Sequence, residues 1–220
     1  MLASRISRSP LPSLAVWALL LPPLALDCVR SKRLHSYAAS MIGVHVAAHG
    51  RCVGPYIVFL HTWKACPSDK IVEANFRPGP FSRSRPYDLQ TLSGNLTIRA
   101  PFTDHVWTET DLAVWANNQW KENAFKFPFP KNGCSELREQ MPDYFRVIAK
   151  HTGASTDLRD PCVLPVGHSV LKDEPVNWTF PNFPTMPYGR YRYRMRSRPT
   201  RNSPIIRMCV AVDCEVIPKP

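Results

Sequence analysis

Between Tyr188 and Arg201 the chain reads YGRYRYRMRSRPTR, with arginine at 190, 192, 194, 196 and 198 and Tyr191, Tyr193, Met195 and Ser197 between them. Side chains alternate faces along a strand and sweep around a helix. As a strand, the segment puts all five arginines on one face and both tyrosines and the methionine on the other. As a helix, the same letters scatter arginine round most of the cylinder. The segment is therefore predicted to be a strand with one wet face and one apolar face. The apolar face needs a second layer to bury it. Five like charges along the wet face repel one another, so an acidic neighbour strand or an anionic partner is expected beside them.

Other segments follow the same pattern. YIVFLHTW (56–63) is a β-branched and aromatic run that ends in the turn signal KACPSD. NLTIRAPF (95–102) and TDLAVWA (110–116) read as strands, and Asn117-Asn118 supplies a tight reversal into QWKENAFKFPF (119–129). IIRMCVAVDCEV (205–216) is the last strand, with Ile206, Met208, Val210 and Val212 on one face. RPGPFSRSRP (77–86) is loop, SRPTRNSP (197–204) is a turn, and VNWTFPNFPTMPYG (176–189) is extended and proline-studded. The single helical candidate is SELREQMPDYFRVIAK (135–150), where Leu137, Met141, Tyr144, Phe145 and Ile148 recur as one buried stripe. Pro142 permits only a kink or a fresh helix start there. The 23 prolines sit in the joints, which suits many short strands and long loops. The predicted class is mainly β, a two-sheet antiparallel sandwich with one short helix.

The 220 residues suffice for one domain with its own core. Arg5 and Arg8 precede the apolar run Leu14 to Leu21, which Pro22 and Pro23 break. That run is far short of the roughly 20 residues a membrane-spanning helix needs, so residues 1–26 are predicted to be a secretory signal peptide. Residues 27–53, basic and without a period, read as an N-terminal extension, and 54–220 as the folded domain. The seven cysteines, at 28, 52, 66, 134, 162, 209 and 214, form no CxxC pair and no zinc-finger spacing. In an exported chain their default use is disulfides, and the odd number leaves at least one over. Asn95 and Asn177 head glycosylation sequons that fit export. The net charge is +11; residues 1–26 hold two arginines and no acid, so the remainder carries +9. That excess permits an anionic polysaccharide, an acidic lipid surface or an acidic protein. Export makes nucleic acid the least favoured partner.

No reaction is nominated by any motif. There is no GxSxG nucleophile elbow. His45 and His49 are four apart but lack the glutamate of the HExxH zinc motif, and no metal or cofactor is expected. Glu109 and Asp111 lie two apart on one strand face, where solvated acids are common. The abundant resource is aromatic surface. Trp107, Trp115 and Trp120 share a region with Phe125 and Phe127; Trp178, Phe180 and Phe183 form another, with Tyr191 and Tyr193 just beyond. Such residues fill a sandwich core, or line a cavity for an apolar ligand if the sheets splay. Composition leaves both open, and Tyr144, Phe145 and Met195 join the same candidate set.

Three stretches, in order, carry a family resemblance. SGNLTIRAPFTD (93–104) followed by NNQWKENAFKFPFPKNGC (117–134) is similar to the central segment of ganglioside-activator-like proteins of the ML lipid-recognition superfamily. CVLPVGHSVLKDEPVNWTFPNFP (162–184) resembles their cysteine-proline turn, and 188–212 resembles their closing hairpin. The nearest branch is the arthropod chemosensory A secreted proteins. The chain departs from the pattern at Val163, Asn118 and His168. The resemblance implies an Ig-like β-cup, two antiparallel sheets open at one end around a lipid cavity, with a helix-bearing loop at the rim. It also implies the disulfides Cys134–Cys162 and Cys66–Cys209, leaving Cys28, Cys52 and Cys214 to share what remains.

The expectation is a secreted, non-catalytic carrier or presenter of a lipid or other apolar molecule, handing it to a receptor or membrane, with a chemosensory role implied by the nearest branch. The alternative is a basic extracellular protein that binds an anionic polysaccharide or membrane surface through Arg190, Arg192, Arg194, Arg196 and Arg198.

Overall fold

Runs of alternating apolar and polar residues become strands here, and prolines and asparagines become the joints between them. The computed structural model describes residues 52–129 and 133–219. The expected signal peptide, most of the extension, Cys28, His45 and His49 lie outside the described residues. Strands run β1 (Val53–Gly54), β2 (Tyr56–Ala65), β3 (Val72–Pro78), β4 (Gln90–Ile98), β5 (Phe102–Thr103), β6 (Trp107–Ala116), β7 (Gln119–Phe129), β8 (Val163–Leu164), β9 (Gly167–Val176), β10 (Met186–Pro187), β11 (Gly189–Arg198) and β12 (Met208–Pro218). Helices α1 (Gly133–Gln140) and α2 (Pro142–Thr152) fall between β7 and β8.

The larger sheet has five strands in the order β2-β12-β11-β6-β7, and the smaller has three, β3-β4-β9. Every neighbouring pair in both is antiparallel. The class is mainly β, consistent with the expected two-sheet sandwich. The Arg/Tyr segment is β11, the central strand of the larger sheet, so both its edges are paired and both its faces matter. Asn117 and Asn118 take φ of 52° and 60°, the left-handed pair that a two-residue hairpin turn requires.

Two of the three strands of the smaller sheet, β3 and β9, are not among the expected ones. In β3, Val72, Ala74 and Phe76 are buried and alternate with polar residues, so the period was present but short and followed directly by the Pro-Gly-Pro loop. In β9 the alternation is broken by Asp173, at φ 49°, and by Pro175. Proline is tolerated there because β9 is an edge strand.

The helical stripe divides in two at Met141. Pro142 takes the first turn of α2, where its missing N–H costs nothing, and Gly153 ends it in the left-handed region at φ 76°, donating its N–H to Ala149 O. Tyr144, Phe145 and Ile148 of α2 are buried in the core, with Leu137 of α1. Arg138 of α1 is also buried; its guanidinium donates to the backbone carbonyls of Asp157 at 2.7 Å and Asp160 at 3.1 Å, pinning the loop after α2.

Both expected disulfides are present. Cys66–Cys209 ties the residue after β2 to β12, and Cys134–Cys162 ties α1 to the residue before β8. Cys52 is also in a disulfide, and Cys214 is the free thiol among the described residues. Cys214 is buried in β12, and desolvation pushes its thiol up to about 12, so it stays protonated and inert at neutral pH.

The sheets are joined at one seam, where edge strand β2 runs beside edge strand β3. Gln90, 5 % exposed, donates to Leu60 O at 2.8 Å and Gly79 O at 2.7 Å and accepts from Leu60 N at 2.8 Å. One amide side chain thus takes the place of a missing neighbour strand. At the other end, Trp63 Nε1 donates to Ala74 O at 2.8 Å. Gln90→Leu strands two buried backbone groups of Leu60 and should cost about 2–3 kcal/mol. The check is a lower urea midpoint at unchanged slope; a change below about 0.5 kcal/mol would mean water replaces the amide.

Candidate functional site

On the larger sheet's outer face, register decides what the arginines meet. Directly opposed residues in antiparallel strands share a face. Arg192 lies opposite Asp213, Arg194 opposite Asp111, and Arg196 opposite Glu109. Arg192 holds Asp213 through two bonds, Nε to Oδ1 at 2.7 Å and a terminal nitrogen to Oδ2 at 3.2 Å, and this pushes the guanidinium above its ordinary range. Arg196 reaches Asp111 at 2.7 Å and Glu109 at 3.3 Å; Arg198 reaches Glu109 at 2.8 Å. Arg194 sits 3.7 Å from Asp111 and 3.6 Å from Glu122 of β7. The acidic neighbour strands are β6 and β12. Asp111 is only 3 % exposed, so it departs from the solvated acid expected there: it is a buried counter-ion to two arginines.

Arg190 is the exception. It is 3.7 Å from Asp213, whose oxygens Arg192 already engages, and it lies over the rings of Trp115 and Trp120 at 6.0 and 5.6 Å. Arg192 lies 4.3 Å above the Trp120 ring, and Arg201 covers Trp107 at 5.3 Å. These are cation–π distances. This corrects an expectation: Trp107, Trp115 and Trp120 share the arginine face and do not line the interior with Tyr191 and Met195. The physical reason is parity. Val114 lies opposite the inward Tyr191, so its neighbour Trp115 must point out.

The inner face carries the remaining candidates. One row crosses the whole sheet: Trp63, Val212, Tyr193, Leu112 and Phe125 are successive cross-strand partners. Val212 and Leu112 are buried, whereas Trp63, Tyr193 and Phe125 are only partly covered. Tyr191 and Met195, either side of Tyr193, are 1 % and 5 % exposed and belong to the packed core. The Tyr191 hydroxyl donates to Pro187 O at 2.8 Å. Tyr193 hydroxyl and Thr110 Oγ1 are 3.3 Å apart, and desolvation pushes the Tyr193 phenol up to about 12. The Phe127 side chain lies outside the described residues.

Across from that row the smaller sheet and α2 supply an aromatic cluster. Trp63 meets Phe76 edge-on at 5.2 Å and Tyr144 at 5.8 Å; Tyr144 stacks on Trp178 at 5.8 Å. Burial raises the Tyr144 phenol well above its usual range. Phe145 and Trp178 are buried, and Phe180 packs partly covered against the core. Phe183 is half-buried. Trp63 and Phe76 join this cluster without being singled out from sequence; plain alternation along YIVFLHTW puts Trp63 on the face opposite Leu60, and the register shift at His61 turns it inward.

Two concavities flank the seam. One, of about 290 Å³, is lined by Trp63, Ala65, Asn75, Phe76, Arg77, Ser93 and Gly94. The other, of about 450 Å³, is lined by Phe59, Leu60, His61, Pro78, Gly79, Pro80, Phe81 and Arg83. In the second, Phe59 stacks on Phe81 at 3.9 Å, and Arg83 and His61 lie 3.1 and 3.2 Å from Glu215. Asn95 and Asn177 are both exposed. No helix among the described residues is long and apolar enough to cross a membrane. Protein-family models and curated protein sequences were searched with this chain, and none matches.

Proposed function

We propose that the chain is a secreted, non-catalytic binding protein for an apolar ligand, related in kind to the ganglioside-activator-like proteins that its 93–134, 162–184 and 188–212 stretches resemble. The observation that carries this reading is the inner-face row. A closed sandwich core covers its aromatic rings, yet Trp63, Tyr193 and Phe125 are each only partly covered, on three different strands of one row. Aromatic surface with few polar groups is what apolar ligand sites are made of. Two disulfides support an oxidising destination. The alternative, an anionic polymer or membrane on the arginine face, has less support, because Glu109, Asp111 and Asp213 already occupy most of those guanidinium groups.

Tyr193→Ala tests the reading. A large aromatic truncation in a packed core costs about 3–5 kcal/mol. For a ring only partly covered the loss should be roughly 1–2 kcal/mol. Binding of a fluorescent fatty-acid or sterol probe to delipidated protein should change several-fold in the same variant. Native mass spectrometry of protein from a secretory host should show a retained lipid. Full core-like destabilisation with no saturable probe binding to either protein would sink the carrier reading.

A further inference from the structure

We infer that the smaller seam concavity binds the anionic head and the first part of the chain of a small single-chain amphiphile, a monocarboxylate, with Arg77 as its counter-ion. This rests on the apolar-ligand reading and narrows it to a ligand class and an address.

The site is built from two kinds of surface. Its apolar part is Trp63, half-buried, which packs edge-on at 5.2 Å against the buried Phe76. Its rim is polar, with Asn75, Ser93 and Arg77. Gly94 sits at φ 139°, and a Cβ there would run into the Asn75 carbonyl oxygen and come 2.9 Å from the Phe76 Cα. Only glycine lets β3 and β4 approach this closely beside the cavity.

Charge distinguishes this concavity from its neighbour. Arg83, at the rim of the larger one, is paired with Glu215 at 3.1 Å. Arg77 is exposed and forms no ion pair among the described residues. Asp173, an acid joined to the rim, instead accepts the Ser93 hydroxyl at 2.9 Å. Arginine is the side chain best suited to a carboxylate, because its planar fork can donate two parallel bonds. A guanidinium without a carboxylate, at the rim of a concavity that Trp63 also lines, selects an acid with an apolar body over a cation or a purely neutral molecule.

Size sets the upper limit. About 290 Å³ lies at the bottom of the range for small-molecule sites. That suits one short chain and excludes a two-chain lipid held wholly at this position.

Octanoate, octanol and octyltrimethylammonium form a probe series differing only in the head. In amide and indole correlation spectra of isotopically labelled protein, octanoate should shift the Trp63 Nε1–H and Gly94 N–H resonances saturably. Octanol should bind about 10-fold more weakly, and the ammonium compound should not compete. Arg77→Gln should weaken octanoate about 10-fold while leaving octanol within about 2-fold, and Arg77→Lys should recover part of the loss. Arg77 is exposed, so these variants should keep the wild-type melting temperature.

Equal octanoate affinity in wild type and Arg77→Gln would overturn the assignment of the head. Saturable octanoate binding that shifts the Tyr193 and Phe125 amides and spares Trp63 and Gly94 would overturn the address but leave the carrier reading standing. Failure of all three probes, together with failure of the longer fatty-acid and sterol probes, would remove both.

Discussion

Replacing Cys66 and Cys209 together with alanine is expected to lower stability by about 4–5 kcal/mol, the largest loss from any change considered for this chain. The bridge spans 143 residues of sequence. In the chain-entropy account a longer closed loop restricts the unfolded chain more, and a loop of this length corresponds to about 5 kcal/mol. In the folded state the bridge also anchors the point where Cys66 N donates to Cys209 O at 3.1 Å, at the end of the β2–β12 pairing. The Cys134–Cys162 bridge spans only 28 residues, so its double alanine variant should lose less, about 3.5 kcal/mol. Urea titrations of both variants under oxidising conditions give the comparison. A larger loss from the shorter loop would mean that local geometry, and not loop closure, sets the contribution.

Asp111→Ala should be the most damaging change on the arginine face, costing about 2–4 kcal/mol. Its carboxylate is 5 % exposed and faces Arg196 at 2.7 Å and Arg194 at 3.7 Å. Breaking a buried pair by removing one partner typically costs 3–5 kcal/mol, because the remaining charge is left uncompensated. Here the arginine side chains retain 27 and 30 % exposure, and Glu109 and Glu122 remain within 3.3 and 3.6 Å, which softens the loss. Arg83→Ala, at an exposed pair with Glu215, should cost under about 1 kcal/mol. The Asp111 effect should also persist in high salt, since a buried pair is screened far less than an exposed one. Equal losses at the two sites would mean that Asp111 is better hydrated than its burial indicates. A heparin column gives a second readout: freeing Arg194 and Arg196 from Asp111 should increase retention of the variant.

Local periodicity made much of the larger sheet legible. The stretches expected as β2, β6, β7, β11 and β12 all form strands, within a few residues of their expected bounds, because alternation or β-branched and aromatic residues dominate them even where bulges interrupt β2 and the β6–β7 pairing. The strand expected over 95–102 begins earlier, at Gln90, and stops at Ile98, where Arg99, Ala100 and Pro101 turn the chain toward β5. The smaller sheet was harder to see. Its β3 is short, and β9 contains a left-handed aspartate and a proline that read locally as loop. Both are strands because β4 pairs with each. The helical stripe is visible in the sequence; of the kink and the fresh start that Pro142 allows, the chain takes the fresh start, giving two short helices where one is expected.

For the site, the division falls between parity along one strand and partnership between strands. Alternation alone determined that Tyr191, Tyr193 and Met195 share a face opposite five arginines, because a pleated backbone has a period of two wherever it lies. Alternation could not say which acids would meet those arginines. Asp111 lies 85 residues from Arg196 and Asp213 lies 21 from Arg192, and only the register of β11 against β6 and β12 brings them together. The tryptophans show the same limit. Trp107, Trp115 and Trp120 are apolar enough for a core, but strand parity turns them outward, and arginine stacking makes that position favourable. The seam between β2 and β3 was the least accessible from sequence. Gln90, Trp63 and Ala74 lie on three strands, and their contacts arise from two sheet edges meeting, a non-local event that leaves no period in the chain.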